Sequence, residues 1–186
     1  MNSIVKPILN FMTVICLTSV AGMQSISTLA QPFSISQYKF NMLFENAFQL
    51  MLSGEWDKAL PTFITLYKSD TSNNNICYLA GFCLYKLRRE PALAVQLLKK
   101  ASLSVNPRYI RGISDERKAP ITTFYYLGEL QFLEGDFKEA LASYTRYLAW
   151  LPGSQIRSRT ETQLMIATIE TAIRESREGP KNIANR

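Results

Sequence analysis

One short segment occurs twice in this chain, and it constrains the fold more than any other feature. Gly54-Glu55-Trp56-Asp57-Lys58-Ala59-Leu60 matches Gly135-Asp136-Phe137-Lys138-Glu139-Ala140-Leu141: glycine, acid, aromatic, two charged residues, alanine, leucine. Each copy ends one apolar helical pattern and opens another. The glycine closes the first helix because it tolerates a positive φ. The acid stands near the start of the next helix, where the macrodipole favours it. The aromatic packs back across the turn, and the alanine leaves room for a facing helix. A recurring helix-turn-helix unit predicts a stacked repeat, in which each pair buries its apolar face against its neighbours.

The pattern resembles the tetratricopeptide repeat, a unit of about 34 residues. The third unit, residues 121–153, fits best: Phe124, Leu127, Gly128 and Gln131 take the first-helix places, and Ala140, Tyr144, Tyr147 and Pro152 the second-helix places. It departs at Gln131, where an aromatic is usual, and at Tyr147, where alanine is usual. The first unit, residues 40–73, carries Leu43, Asn46, Ala47 and Leu50, then Ala59, Phe63, Leu66 and Thr71. Pro61 inside its second helix predicts a bend there. The second unit, residues 75–107, is looser: Tyr78, Gly81, Phe82 and Tyr85 are followed by Ala94, Leu98 and Ala101, and Arg88-Arg89-Glu90-Pro91 makes a turn without glycine. The resemblance implies an all-α, right-handed solenoid of three helix pairs.

Ala59 and Ala94 lie 35 residues apart, whereas Ala94 and Ala140 lie 46 apart. The excess falls in a polar insertion, residues 108–120, of the kind that sits on one face of a solenoid and touches a partner. After Pro152-Gly153, residues 154–177 predict a capping helix whose apolar members are Ile156, Leu164, Ile166, Ala167, Ile169, Ala172 and Ile173. Residues 178–186 read as a flexible tail.

The beginning of the chain has a different character. Lys6 is the only charged side chain among residues 1–30, an apolar stretch follows, and small residues precede Gln31-Pro32. This is the layout of a secretory signal. Cleavage after Ala30 is expected; cleavage after Ala21 also fits, and an uncleaved membrane anchor is the other reading. Residues 31–39 form an N-terminal extension. The body of the protein is then exported, to a periplasmic or outer-membrane-associated place.

Several chemistries lack their residues. The sequence has no histidine, the commonest general base and metal ligand. Cys16 lies in the leader, and Cys77 and Cys83, too far apart along one helix for a disulfide, read as small core residues. No nucleophile elbow or glycine-rich phosphate loop occurs. Carboxylates such as Glu134 with Asp136, and Asp115 with Glu116, fall in turns and on exposed faces. No enzyme activity, cofactor or metal site is therefore expected. Lys86, Arg88, Arg89, Lys99 and Lys100, with tyrosines nearby, read as solvated helix faces rather than a nucleic-acid surface.

In tetratricopeptide arrays the first helices line a concave groove. The resemblance maps its contact places to Asn41, Phe44, Phe48 and Met51 in the first unit. In the second they are Ile76, Leu79, Cys83 and Lys86, and in the third Thr122, Tyr125, Glu129 and Phe132. Such a groove is mainly apolar and aromatic. It lacks the lysine and asparagine clamp that grips a C-terminal carboxylate, and it suits an amphipathic helix or apolar peptide of a protein partner. Packing of the same aromatics in the core is the alternative.

Glu116-Arg117-Lys118-Ala119-Pro120, followed by Phe124-Tyr125-Tyr126-Leu127-Gly128, resembles a narrower group. These are Bacteroidetes envelope proteins whose tetratricopeptide segment precedes a β-propeller and an OmpA-like domain, some of them in gliding and type IX secretion machinery. The resemblance implies a scaffold binding envelope proteins, or a peptidoglycan- or outer-membrane-associated adaptor without its propeller and OmpA-like domains.

Overall fold

The computed structural model describes residues 35–178. The leader with its cleavage points and Cys16, the start of the N-terminal extension and the tail from 179 onward lie outside the described residues. Seven helices follow one another: α1 (Gln37–Leu52), α2 (Trp56–Ser69), α3 (Asn74–Leu87), α4 (Pro91–Ala101), α5 (Thr122–Leu133), α6 (Phe137–Trp150) and α7 (Ile156–Glu178). Two short strands, β1 (Val105–Asn106) and β2 (Ala119–Pro120), pair in parallel between α4 and α5 and close the base of the insertion.

Local signals place the helix ends. The Ser36 hydroxyl accepts from the Lys39 amide, and the Asn73 carboxamide oxygen from the Ile76 amide at 3.1 Å, each satisfying an orphan donor of a first turn. Gly54 and Gly135 both sit at φ 80°, so the repeated segment is the same left-handed turn in the first and third units. In the second unit Arg88 adopts that conformation without being glycine, and Glu90 is left-handed as well. Helix α2 runs unbroken through Pro61. Both Pro61 and Asp57, whose carbonyl loses its donor, are exposed, so water can take the place of the missing bond.

Helices α1 and α2, α3 and α4, and α5 and α6 pack as pairs, and each pair stacks on the next through α2 with α3 and α4 with α5. One continuous core joins the first two units, with Phe44, Phe63, Leu66, Ile76, Leu79 and Leu98 buried within it. Cys77 and Cys83 are free and buried, and burial pushes their thiols up to about 11 and about 12. Gln131 fills the place of the usual aromatic by polar means: its side-chain amide pairs with Ser143 Oγ at 2.6 Å and faces the Glu139 and Leu127 carbonyls. Tyr147 packs with Phe124 and Leu151.

Helix α7 caps the array through Met165, Ile166, Ile169 and Ile173, which meet Ala140 and Tyr144. Arg159 donates to the Leu148 and Leu151 carbonyls at 3.2 and 2.8 Å, so a cation covers the C-terminal end of α6. Ile156 and Leu164 do not join this face; they are 73% and 69% exposed. The inward-facing stripe starts six residues later than the sequence pattern implies and runs from Thr162 through Ile169 to Ile173, spacings of seven and four. Among the described residues no helix is long and apolar enough to cross a membrane.

The pairs approach most closely at two glycines. A Cβ on Gly81 would lie 2.9 Å from Leu98, and one on Gly128 would lie 3.0 Å from Tyr144. Gly81→Ala and Gly128→Ala should each cost about 1–3 kcal/mol through overpacking. Thermal unfolding should show a Tm lower by roughly 3–10 °C. Gly153→Ala, where a Cβ meets nothing, should leave Tm unchanged.

Candidate functional site

The inner face of the solenoid is set by the helix register, and in the second unit that register differs from the one counted along the sequence. Gly81 packs on Leu98 as Gly128 packs on Tyr144, so the two glycines are equivalent. The signature places of α3 are then Cys77, Ala80, Gly81 and Leu84, all buried. The extra residue lies in the turn: 34 positions separate Ala47 from Gly81, but 35 separate Ala59 from Ala94. The left-handed Glu90 accommodates it. Counting back from Ala94 thus rotates α3 by one residue, about 100°.

The correction changes which side chains face inward. Ile76, Leu79 and Cys83 are at most 1% exposed, and they pack in the core instead of lining a groove. Their places belong to Asn75, Tyr78, Phe82 and Tyr85, with Lys86 exposed beside them. In the first unit Phe44, Phe48 and Met51 are also buried, at 0%, 6% and 2% exposure, and only Asn41 keeps a partly exposed surface. In the third unit Thr122, Tyr125, Glu129 and Phe132 are all partly exposed. The spacing of the aromatics in α3, Tyr78-Phe82-Tyr85, was the available signal for the correct face.

Phe48 is covered by the chain itself. The insertion folds back across the inner face, bringing the Gly112 backbone against the Phe48 ring; a Cβ there would lie 2.9 Å from it. The Arg111 guanidinium stands over the same ring, 5.6 Å from its centroid. Tyr109 packs edge-on to Tyr78 with centroids 6.4 Å apart, and its hydroxyl donates to Asn75 Oδ1 at 2.8 Å. Gln37 donates to Asp115 at 3.3 Å, and the Asn75 amide to the Arg117 carbonyl at 3.1 Å. The Arg117 guanidinium pairs with Asp70 at 2.7 Å and donates to Ser72 at 2.9 Å. The insertion therefore occupies the inner face of the first unit and the start of the second.

Beyond it an aromatic run remains partly open. Phe82 packs on Tyr126 at 4.8 Å, Tyr126 on Tyr85 at 4.9 Å, and Tyr125 on Tyr126, Tyr144 and Tyr147 at 5.4–5.7 Å. Glu129 is the carboxylate within this run. It accepts from the hydroxyls of Tyr85 and Tyr125, the latter at 3.1 Å. Burial first, and then the Glu129 charge, push Tyr125 up to about 12 and Tyr85 upward as well; both stay neutral donors at physiological pH. The Lys86 ammonium lies 5.6 Å from the Trp56 centroid and 5.9 Å from that of Phe82. Among the described residues no group of three or more His, Cys, Asp or Glu could hold a metal ion.

The fold is that of a tetratricopeptide solenoid. It is similar to the Yersinia enterocolitica type III secretion chaperone SycD, solved in complex with a peptide of the translocator YopD, at a TM-score of 0.58 and 16% identity over 75% of this chain and 98% of that one. It is also similar to PcrH in complex with the chaperone binding region of PopD, at 0.58 and 17% identity over 76% and 97%. A third is the Sgt2 domain of Aspergillus fumigatus, at 0.57 and 15% identity over 82% and 90%. No family model and no curated protein matches the sequence.

The grip on the insertion is acid-sensitive. Burial raises the Asp70 pKa, but hydrogen bonds from Ser72 and Arg117 outweigh it and leave the carboxyl below its ordinary 3.8. The folded value is the lower one, so this contribution is complete above about pH 3.8 and is lost as pH falls through the folded value. Amide protection factors over residues 108–118, taken against the intrinsic exchange rate at each pH, should fall below pH 3.8 in the wild type. In Asp70→Asn they should already be low at pH 6, with α5 and α6 unaffected.

Proposed function

We propose that the protein is a non-catalytic scaffold that holds a peptide or helix of a partner protein against the open part of its inner face. The observation that carries this reading is the partly exposed run of Tyr85, Tyr125, Tyr126 and Phe132 around Glu129. An enzyme would need converging reactive groups, and here the central carboxylate is occupied by neutral tyrosine donors. Aromatic rings offer a large contact area at low cost in conformational entropy, and the two hydroxyls with Glu129 add polar groups that fix orientation. Two chaperones of similar fold were solved with peptides of their partners, which supports a peptide as the bound species. The cell envelope as the setting rests on the leader and on the resemblance carried by Glu116 to Gly128.

The reading is tested by placing a photo-crosslinking phenylalanine at Tyr85 or Phe132, or at the exterior Leu103, in cells expressing the full chain. The inner positions should yield a discrete adduct with one protein, recovered from the envelope fraction, and Leu103 should not. Equal labelling from all three positions, or none from Tyr85 and Phe132, contradicts a partner on this face.

A further inference from the structure

The residue that opens the second helix differs in each unit, and in the second unit the difference leaves a hole. Trp56, Pro91 and Phe137 are the first residues of α2, α4 and α6. Trp56 reaches over to the next unit, where its ring meets Phe82 edge-on, with centroids 5.5 Å apart, and lies beneath the Lys86 ammonium. The equivalents of Phe82 and Lys86 in the third unit, counted from Gly128 as those two are from Gly81, are Glu129 and Leu133. The residue that should reach them is Pro91, whose short ring cannot. A cleft of about 800 Å³ lies there, bounded by Tyr85, Pro91, Glu129, Leu133, Tyr144 and Met165. Leu133, which has no ring to cover it, is 76% exposed.

We propose that this cleft is a docking site for a tryptophan side chain of a partner peptide, flanked by an acidic residue. The inference rests on the peptide-binding reading above and names what the peptide must carry. Three observations define the occupant. The missing element is an aromatic ring, as the Trp56 site in the neighbouring unit shows. Tyr144, a side chain with no exposed surface, is among the residues bounding the cleft, and its hydroxyl has no hydrogen-bond partner; an indole N–H seated at that wall would donate to it, as a phenyl ring cannot. In the cleft lining Lys86, Arg88 and Arg89 outnumber Glu129 and Glu134, and neither arginine makes an ion pair among the described residues, which favours an acid beside the ring.

The test uses the full chain and a fluorescein-labelled peptide, Gly-Asp-Glu-Ala-Trp-Ala-Glu-Asp-Gly, capped at its C-terminus. Controls replace its tryptophan with alanine or its acids with lysine. Anisotropy should show binding of the first peptide and at least tenfold weaker binding of both controls. Pro91→Trp fills the cleft from within; it should weaken binding at least tenfold and raise Tm. Leu133→Glu, at an exposed position that the fold does not need, should weaken it at least fivefold with Tm unchanged. Arg89→Glu should remove the preference for acids and keep that for tryptophan. Equal affinity for the tryptophan and alanine peptides, or binding untouched by both Pro91→Trp and Leu133→Glu, overturns the proposal. If the envelope adduct at Tyr85 and Phe132 persists in such a case, the inner-face reading stands and the cleft alone is wrong. If neither the adduct nor the peptide is seen, both fail.

Discussion

The close approach of paired helices at Gly81 and Gly128 governs the rest of the molecule. With no Cβ in the way, Leu98 and Tyr144 press directly on the backbone of the facing helix. That contact fixes the rotation of α3 and α5 about their axes, and rotation decides which side chains face inward. In α3 it turns Ile76, Leu79 and Cys83 into the core and Tyr78, Phe82 and Tyr85 toward the inner face. Ala47 holds the same place in α1 with its partner Phe63 buried beside it. A rotation of one residue would exchange an aliphatic surface for an aromatic one, so the chemistry of the inner face follows from two positions that do not lie on it.

The insertion shows how the same face is divided. Phe48 would stand open on the inner face of the first unit, and the chain covers it with Gly112 and Arg111. Around that contact the segment is tied at both ends and at its middle: by the β1–β2 pairing, by Tyr109 on Asn75, and by Arg117 on Asp70 and Ser72. A buried aromatic and several hydrogen bonds offset the entropy of ordering a polar loop. On the function proposed above, a partner would meet only the second half of the face, where the aromatic run and Glu129 lie.

Much of this was legible in the sequence, for reasons that can be named. The turns at Gly54 and Gly135 announce themselves because only glycine adopts φ near 80° without strain, and the third unit follows from its spacing. The extra residue at Glu90 was hidden, because Arg88 and Glu90 take left-handed conformations that their side chains do not advertise. Counting from Ala94 therefore carried Ile76, Leu79 and Cys83 to the wrong face. Tyr78, Phe82 and Tyr85, at helical spacing, held the information that would have corrected it. The path of the insertion was not legible, since Gly112 on Phe48 and Tyr109 on Tyr78 are contacts between distant segments with no periodicity to reveal them. Residues 1–34 lie outside the described residues, and the export reading rests on their composition.

The division of the inner face is the claim on which the account turns. It is tested most directly by proton–proton NMR cross-peaks within the insertion's contact. The account predicts cross-peaks from the Gly112 α protons to the Phe48 ring and from the Tyr109 ring to the Tyr78 ring. Their absence, with residues 108–118 giving the shifts and narrow lines of an unfolded chain, would contradict it and leave the whole inner face open.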